Sequence, residues 1–488
     1  CLAHPRHLAP PLRLRPACNI LSIVVGGIMA GYREGFAKVA AWKRFCSPSG
    51  KCSSRFLRFC AGAGLILLGG SAAAEGLPPP VTDEMFKTVN SAEAELGKLL
   101  FWDPILSGNR NISCATCHHP RFGTSDGVSL TLGEGGIGLG PERRADPRNM
   151  PEQRLPRNAP ALFNLGAKEF TVLFHDGRVE ADPSRPSGLR TPLEDEMVMG
   201  FSGVLSAQTM FPVLSQDEMA GHYSENEISQ AARRGLITGE GGAWWQISRR
   251  VEDIEEYRQM FESVYSEIAD GRPIAFTDIS NVIAAFIADE WRSDDSPFDA
   301  YLRGEVGLSG MAERGLQLFY GEGGCADCHS GPFLTDHDFH ATGQPQIGPG
   351  KNARFESHAR DVGRMRVSGR DEDAYAFRTP SLRNVALTAP YGHAGAFATL
   401  HGFVRHHANP ERPYEPEAIL PALPAANDFA VLRDDTETTA IRTAARPMPA
   451  LNESQIRSLV AFLHMLTGET AMSSRPPERV PSGLPIDR

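Results

Sequence analysis

A mainly α fold, built as two similar helical modules joined by long irregular loops, is predicted by three observations. Apolar residues recur at helical spacing in several segments. The pattern C-x-x-C-H occurs twice, as Cys114-Ala-Thr-Cys117-His118 and Cys325-Ala-Asp-Cys328-His329, each after a segment ending in Leu-Phe (Leu100-Phe101 and Leu318-Phe319). The connections between helical segments are rich in Pro and Gly, above all between Gly123 and Pro160, where periodicity is lost over a length that is usually functional or disordered.

The first helix is read over 91–101 with Asn90 as its N-cap. Asp253 to Ile268 and Thr277 to Trp291 are two further amphipathic helices. A last helix begins at Asn452, carries Ile456, Leu459, Val460, Leu463 and Leu466 on one face, and ends at Gly468. Gly133-Glu-Gly135-Gly-Ile-Gly138 matches a dinucleotide fingerprint by letters only, because Pro141 and Pro147 stand where its helix should begin. A boundary is expected near Ser293 to Pro297. The organisation is therefore a leader at 1–74, one domain at 80–295, a second at 296–470 and an irregular tail at 471–488.

The leader is read from charge and order. Residues 1–74 hold ten of the 49 Lys and Arg but only Glu34 among 59 acids. Lys51, Arg55 and Arg58 precede an apolar run from Phe59 to Leu68, and Ser71 to Ala74 are small, which is the order of a cleavable secretory signal. The run is about half of the ~20 apolar residues needed to span a bilayer, so no stable membrane anchor is expected. The chain opens on Cys1, and residues 1 to about 45 read as an over-extended start. Removing the leader takes the net charge from -10 to about -19. Such an acidic body excludes nucleic acid as a partner and favours a basic or locally complementary one.

Five of the nine cysteines fall in the leader, and the two C-x-x-C-H motifs use the other four. Two thiols three residues apart suit addition to the two vinyl groups of one porphyrin, with the following His beneath the iron. A redox dithiol needs no following His. One zinc held by all four cysteines leaves both histidines unexplained. Two structural disulfides are the remaining alternative, each across only two intervening residues. Covalent attachment of two haem c groups accounts for every residue of both motifs, and gives two cytochrome c-like haem domains. About 207 residues per haem exceeds what electron carriage alone requires.

Leu96-Gly-Lys-Leu-Leu-Phe-Trp-Asp-Pro-Ile-Leu-Ser107, Arg157-Asn-Ala-Pro-Ala-Leu-Phe-Asn164 and Phe174-His-Asp-Gly-Arg178 flank the first motif. Ser296-Pro-Phe-Asp-Ala-Tyr-Leu302, Phe377-Arg-Thr-Pro-Ser-Leu-Arg-Asn384 and Leu387-Thr-Ala-Pro-Tyr-Gly-His-Ala-Gly395 flank the second. In this order, from about Ser91 to Glu469, they resemble the bacterial di-haem cytochrome c peroxidases and the related MauG enzymes. The resemblance implies a periplasmic enzyme that reduces hydrogen peroxide to water at the N-terminal haem. Electrons would come through the C-terminal haem from a small c-type cytochrome or cupredoxin. It also implies a homodimer. A MauG-like oxidase of a protein or organic substrate, and a plain di-haem electron carrier, are the alternatives.

Site residues follow from the same resemblance. His118 and His329 are the proximal ligands. A distal carboxylate that moves protons during O–O cleavage is implied at Glu218 of the 211–219 segment, with Glu196 of the 191–197 segment as its rival. Glu134 stands where many relatives carry a displaceable distal His, which implies an N-terminal haem open to peroxide without prior reduction. His407 occupies the place of the sixth ligand of the C-terminal haem, which is Met in the peroxidases and Tyr in MauG; His406 points about 100° away on the helix. Bis-His ligation lowers the reduction potential relative to His/Met. His175 replaces a Trp between the haems as electron relay. Asn158 with the carbonyls of Thr388 and Pro390 matches a calcium site.

Overall fold

The structure is a computed structural model that describes residues 76–351, 360–411, 416–420 and 435–488. The leader and its signal lie outside the described residues. The expected mainly helical chain is in fact mixed, 39% helical and 7% strand. The difference has a compositional cause: 37 Pro and 48 Gly interrupt helices and fill connections. Asn90 caps the helix Ser91–Trp102 by accepting from the Ala92 N–H at 2.9 Å. The expected 253–268 helix breaks at Tyr265 into Glu255–Val264 and Ser266–Ala269, while Phe276–Glu290 and Glu453–His464 form close to where periodicity put them.

The two modules repeat one another beyond the cysteine motifs. Helix Ser91–Trp102 crosses Phe276–Glu290, and helix Gly310–Phe319 crosses Glu453–His464. Each crossing is set by one glycine. A Cβ at Gly97 would overlap the Val282 carbonyl, and one at Gly315 would overlap the Ser458 carbonyl. A second repeat follows each motif. Asn164 and Asn384, both buried, adopt positive φ of 60° and 62°, a region that Asn tolerates better than most residues. Asn164 N–H donates to the Trp291 carbonyl while its Oδ1 accepts from Ser293 N–H. Asn384 does the same with Leu466 and Gly468. Each asparagine thus fastens the loop under its motif to the end of its module's last long helix.

Two apolar cores result. Phe101, Phe286 and Trp291 pack in the first with ring centroids 5.0 to 5.2 Å apart. Phe298, Phe319 and Phe462 pack in the second at 5.2 and 5.3 Å. The irregular C-terminal tail returns to the first core: Val480 is buried there, with Leu484 and Ile486 packed against it. Ser482 Oγ donates to Asp103 Oδ1 at 2.7 Å and Thr116 Oγ1 to Asp487 at 2.5 Å, so the tail braces the first motif.

The strands are short and serve to aim side chains. A three-stranded antiparallel sheet of Val172–Leu173, Val179–Ala181 and Leu189–Arg190 holds the His175 turn. Phe339–Ala341 pairs antiparallel with Ala376–Arg378 in the register Phe339↔Arg378. A buried ion triad ties segments distant in sequence: Arg157 meets Asp176 at 2.7 Å and Asp361 at 2.7 and 2.8 Å.

Candidate active site

Both C-x-x-C-H motifs present their histidine in the same way. His118 Nδ1 lies 3.0 Å from the Thr124 carbonyl and His329 Nδ1 3.1 Å from the Leu334 carbonyl. A carbonyl only accepts, so Nδ1 carries the proton in each ring and Nε2 keeps its lone pair for a metal. The thiols of Cys114, Cys117, Cys325 and Cys328 are unpaired. Burial pushes Cys114 and Cys325 up to about 12, which keeps both thiols neutral. Among the described residues, the one cluster of three or more metal-ligating side chains is Cys328, Asp336 and His340, so the two cysteine pairs do not meet around a single ion.

The second motif opens on a cavity of about 290 Å³. Cys325, Cys328 and His329 form one side of it; His407 stands across, and Phe163, Phe403 and Leu459 supply apolar wall. The His329 and His407 ring centroids are 6.5 Å apart. His407 Nδ1 is buried without a hydrogen-bond partner. Burial, with His329 and His406 nearby, holds His407 down to about 3, so the ring is neutral. His406 turns away, as the helical register requires, and lies 3.1 Å from the Gly343 carbonyl through Nε2. Two cysteines, an oriented His and an unpartnered neutral His around an apolar cavity fit a haem with two axial imidazoles.

At the first motif, the charges of Asp126, Glu218 and Asp487 are all felt at Cys117, that of Asp126 most, and the one that the resemblance singles out is Glu218. It sits in a π-helical turn, Gln216–Ala220, and its charge is felt at Cys117. Burial raises the Glu218 pKa, while Arg178, Lys351 and the Ser215 hydroxyl hold it back. The turn is gripped from two sides: Gly108 N–H donates to Met219 O at 2.7 Å and Glu134 N–H to Asp217 O at 2.9 Å. Gly133 must be glycine here, since a Cβ would overlap the Asp217 carbonyl.

Glu134 is 1% exposed. Its Oε1 accepts from the side-chain amides of Asn109, Asn111 and Asn149 at 3.0, 2.9 and 2.6 Å. The structure therefore brings Glu134 and Glu218 onto adjoining backbone. Glu196 does not join them; it is exposed on the turn Glu194–Glu196.

His175 lines the cavity of the second motif from the first module. Burial, reinforced by Arg157 and His393, pushes its pKa well below the usual value, and its carbonyl accepts from Arg378 N–H at 2.8 Å. Asn158 Nδ2 donates to the Pro390 carbonyl at 2.8 Å, and Asn158 Oδ1 is buried without a partner. Thr388 lines the same cavity wall, and the Asn158 side chain turns its amide nitrogen rather than its oxygen to the Pro390 carbonyl.

Sequence reading missed several residues. His393 stacks on Phe377 with centroids 4.0 Å apart, and burial holds it down to about 4. Lys351 reaches the Glu218 and Arg178 neighbourhood from the second half of the chain, where burial lowers its pKa. Local motifs carry no sign of either. The Asn164/Asn384 correspondence was visible, as Ala-Pro-Ala-Leu-Phe-Asn beside Thr-Pro-Ser-Leu-Arg-Asn.

Residues 91–307 match the di-haem cytochrome c peroxidase family. The chain is 28% identical over 326 residues to the cytochrome c551 peroxidase of Pseudomonas aeruginosa, across 67% of this chain and 74% of that protein. It is 26% identical over 406 residues to the methylamine utilization protein MauG of Methylorubrum extorquens, across 82% and 84%. Among solved structures, a MauG-like protein associated with microbial copper homeostasis superposes with a TM-score of 0.53 at 26% identity, covering 81% of this chain and 95% of that one. No helix among the described residues is long and apolar enough to cross a membrane. Over residues 91–307 the chain thus matches the di-haem cytochrome c peroxidase family, and across most of its length it is similar to MauG.

Proposed function

We propose that this protein is a periplasmic di-haem c-type peroxidase that reduces hydrogen peroxide to water. Its electrons come from a small c-type cytochrome or cupredoxin. The observation that carries the reading is the pair of identically oriented histidines, His118 and His329, with a half-buried carboxylate, Glu218, at the first and a second imidazole, His407, at the other. The asymmetry supports a division of labour. Residues 80–295 form the peroxidatic domain and 296–470 the electron-transfer domain.

Cys114, Cys117 and His118 would hold one haem c; Cys325, Cys328, His329 and His407 would hold the other. When bound, the haems supply the site where peroxide coordinates and the electrons that reduce it. Glu218 takes a proton from one peroxide oxygen at its carboxylate and delivers it to the other, which leaves as water. Arg178 and Lys351 keep this carboxyl ionisable despite burial. Glu134, fixed by three asparagines, anchors the loop that would otherwise carry a competing distal ligand, so peroxide has access without prior reduction. His175 bridges the two sites as a neutral relay. A calcium ion at Asn158, Thr388 and Pro390 would brace the two domains, and the enzyme works as a homodimer.

EPR of the oxidised protein, before and after peroxide, tests this reading. One high-spin and one low-spin ferric haem, with the high-spin signal consumed by peroxide, are expected. Two low-spin haems inert to peroxide would make the protein an electron carrier. Reaction with peroxide without oxidation of any reduced cytochrome or cupredoxin would make it a MauG-like oxidase.

A further inference from the structure

We infer that Arg378 is the residue that binds a cofactor carboxylate in the second cavity, as the partner of a haem propionate. This rests on the haem reading above. Among the described residues, the cavity wall contains no Asp or Glu but three arginines, Arg378, Arg383 and Arg446. Two of these are neutralised from behind. Arg383 Nη1 lies 2.7 and 2.8 Å from the Asp299 carboxylate, and Arg446 Nη2 lies 3.2 Å from Asp327. Among the described residues, Arg378 has no acidic partner. Its guanidinium makes two long hydrogen bonds, from Nε to the Phe174 carbonyl at 3.3 Å and from Nη1 to the Thr379 carbonyl at 3.2 Å.

Three other arginines drawn into this protein are satisfied. Arg157 is held between two aspartates, and Arg364 Nη2 reaches Glu180 at 2.5 Å. Arg143 has no acid but spends all three nitrogens on the carbonyls of Leu132, Gly138 and Gly133 at 2.5 to 2.8 Å. A half-buried cation with no acid beside it is costly to hold. Burial alone accounts for the fall of Arg378 to about 10, with no anion opposing it. The free Nη2 on a cavity wall that lacks carboxylates therefore points to an anion brought by the ligand. The planar fork of arginine matches a carboxylate better than lysine would.

The position adds a consequence. Arg378 N–H donates to the His175 carbonyl and its Nε to the neighbouring Phe174 carbonyl. One residue thus joins the cofactor edge to the segment that carries the proposed relay. A cation held against the cofactor also favours the ferrous form, since net charge near the iron helps set its potential.

The test uses the holoprotein, with haem counted by pyridine haemochrome and each potential followed by spectroelectrochemical titration. Arg378→Gln is expected to keep two haems and to lower the potential of the His329/His407 haem. The shift expected is on the order of tenfold in the reduction equilibrium, 59 mV for one electron, and at least threefold. A shift below threefold, or upward, with both haems in place overturns the assignment. If R378Q does not mature, R378K decides: it keeps the charge and is expected to restore both haems, and an R378K protein that still lacks the second haem overturns the assignment. Fewer than two haems in the unaltered protein would instead defeat the haem reading.

Discussion

His407 stands opposite His329 across the second cavity with ring centroids 6.5 Å apart. Two imidazole–metal bonds of about 2 Å each, plus the half-width of each ring, fill about that span. The pair is thus spaced for one metal between two imidazoles.

His407→Ala should therefore leave two covalent haems and convert one from low-spin to high-spin. The visible and EPR spectra of the oxidised variant report this. An unchanged low-spin signal would move the sixth ligand to another residue.

Glu218→Gln should slow reaction with peroxide by about 10²- to 10⁴-fold, the usual range for a positioned acid–base group, while haem content stays the same. Burial raises this carboxyl above its ordinary value of about 4.3. As the base it must be ionised, so the rate should rise with pH through the raised pKa, and that limb should vanish in the variant. Stopped-flow rates across pH decide it; a variant with full rate and the same profile would sink the assignment.

Gly315→Ala should destabilise the second module by about 1–3 kcal/mol or more, because the added methyl collides with the Ser458 carbonyl where the two helices cross. Gly97→Ala should do the same in the first, against Val282. Denaturant midpoints check this, and an unchanged midpoint would mean that the crossings are looser than described.

Asp361→Asn should cost about 3–5 kcal/mol at neutral pH by leaving Arg157 short of one partner in a buried site. Arg157 holds the folded pKa of Asp361 well below the ordinary carboxylate range. The stabilisation is therefore complete above about pH 3.9, the unfolded value, and is lost as pH falls through the depressed folded one. The variant's stability should fall less over that acid window than the parent's. Parallel acid-unfolding curves would contradict the linkage.

What the sequence made legible was local. Both haem motifs, the Asn90 and Asn452 caps and the helical register that separates His407 from His406 all depend on residues within a few positions of one another. Glu218 was preferred over Glu196 by likeness; Glu218 is half-buried with its charge felt at Cys117, and Glu196 is exposed.

What stayed hidden depends on distance along the chain. Arg157 and Asp361 are 204 residues apart, and Thr116 and Asp487 are 371 apart. No periodicity encodes such pairs. The tail read as irregular, which it is, but its packing on the first core follows from where the last helix ends. The asparagine cage around Glu134 draws Asn109, Asn111 and Asn149 from both sides of a glycine-rich loop whose path no local rule gives.

The most direct test of the central claim is steady-state oxidation of a reduced small c-type cytochrome or cupredoxin by hydrogen peroxide, with the purified protein carrying two haems. The account predicts catalytic turnover that consumes two electrons per peroxide and starts without prior reduction of the enzyme. Absence of turnover with every such donor, despite a full haem complement, would contradict it.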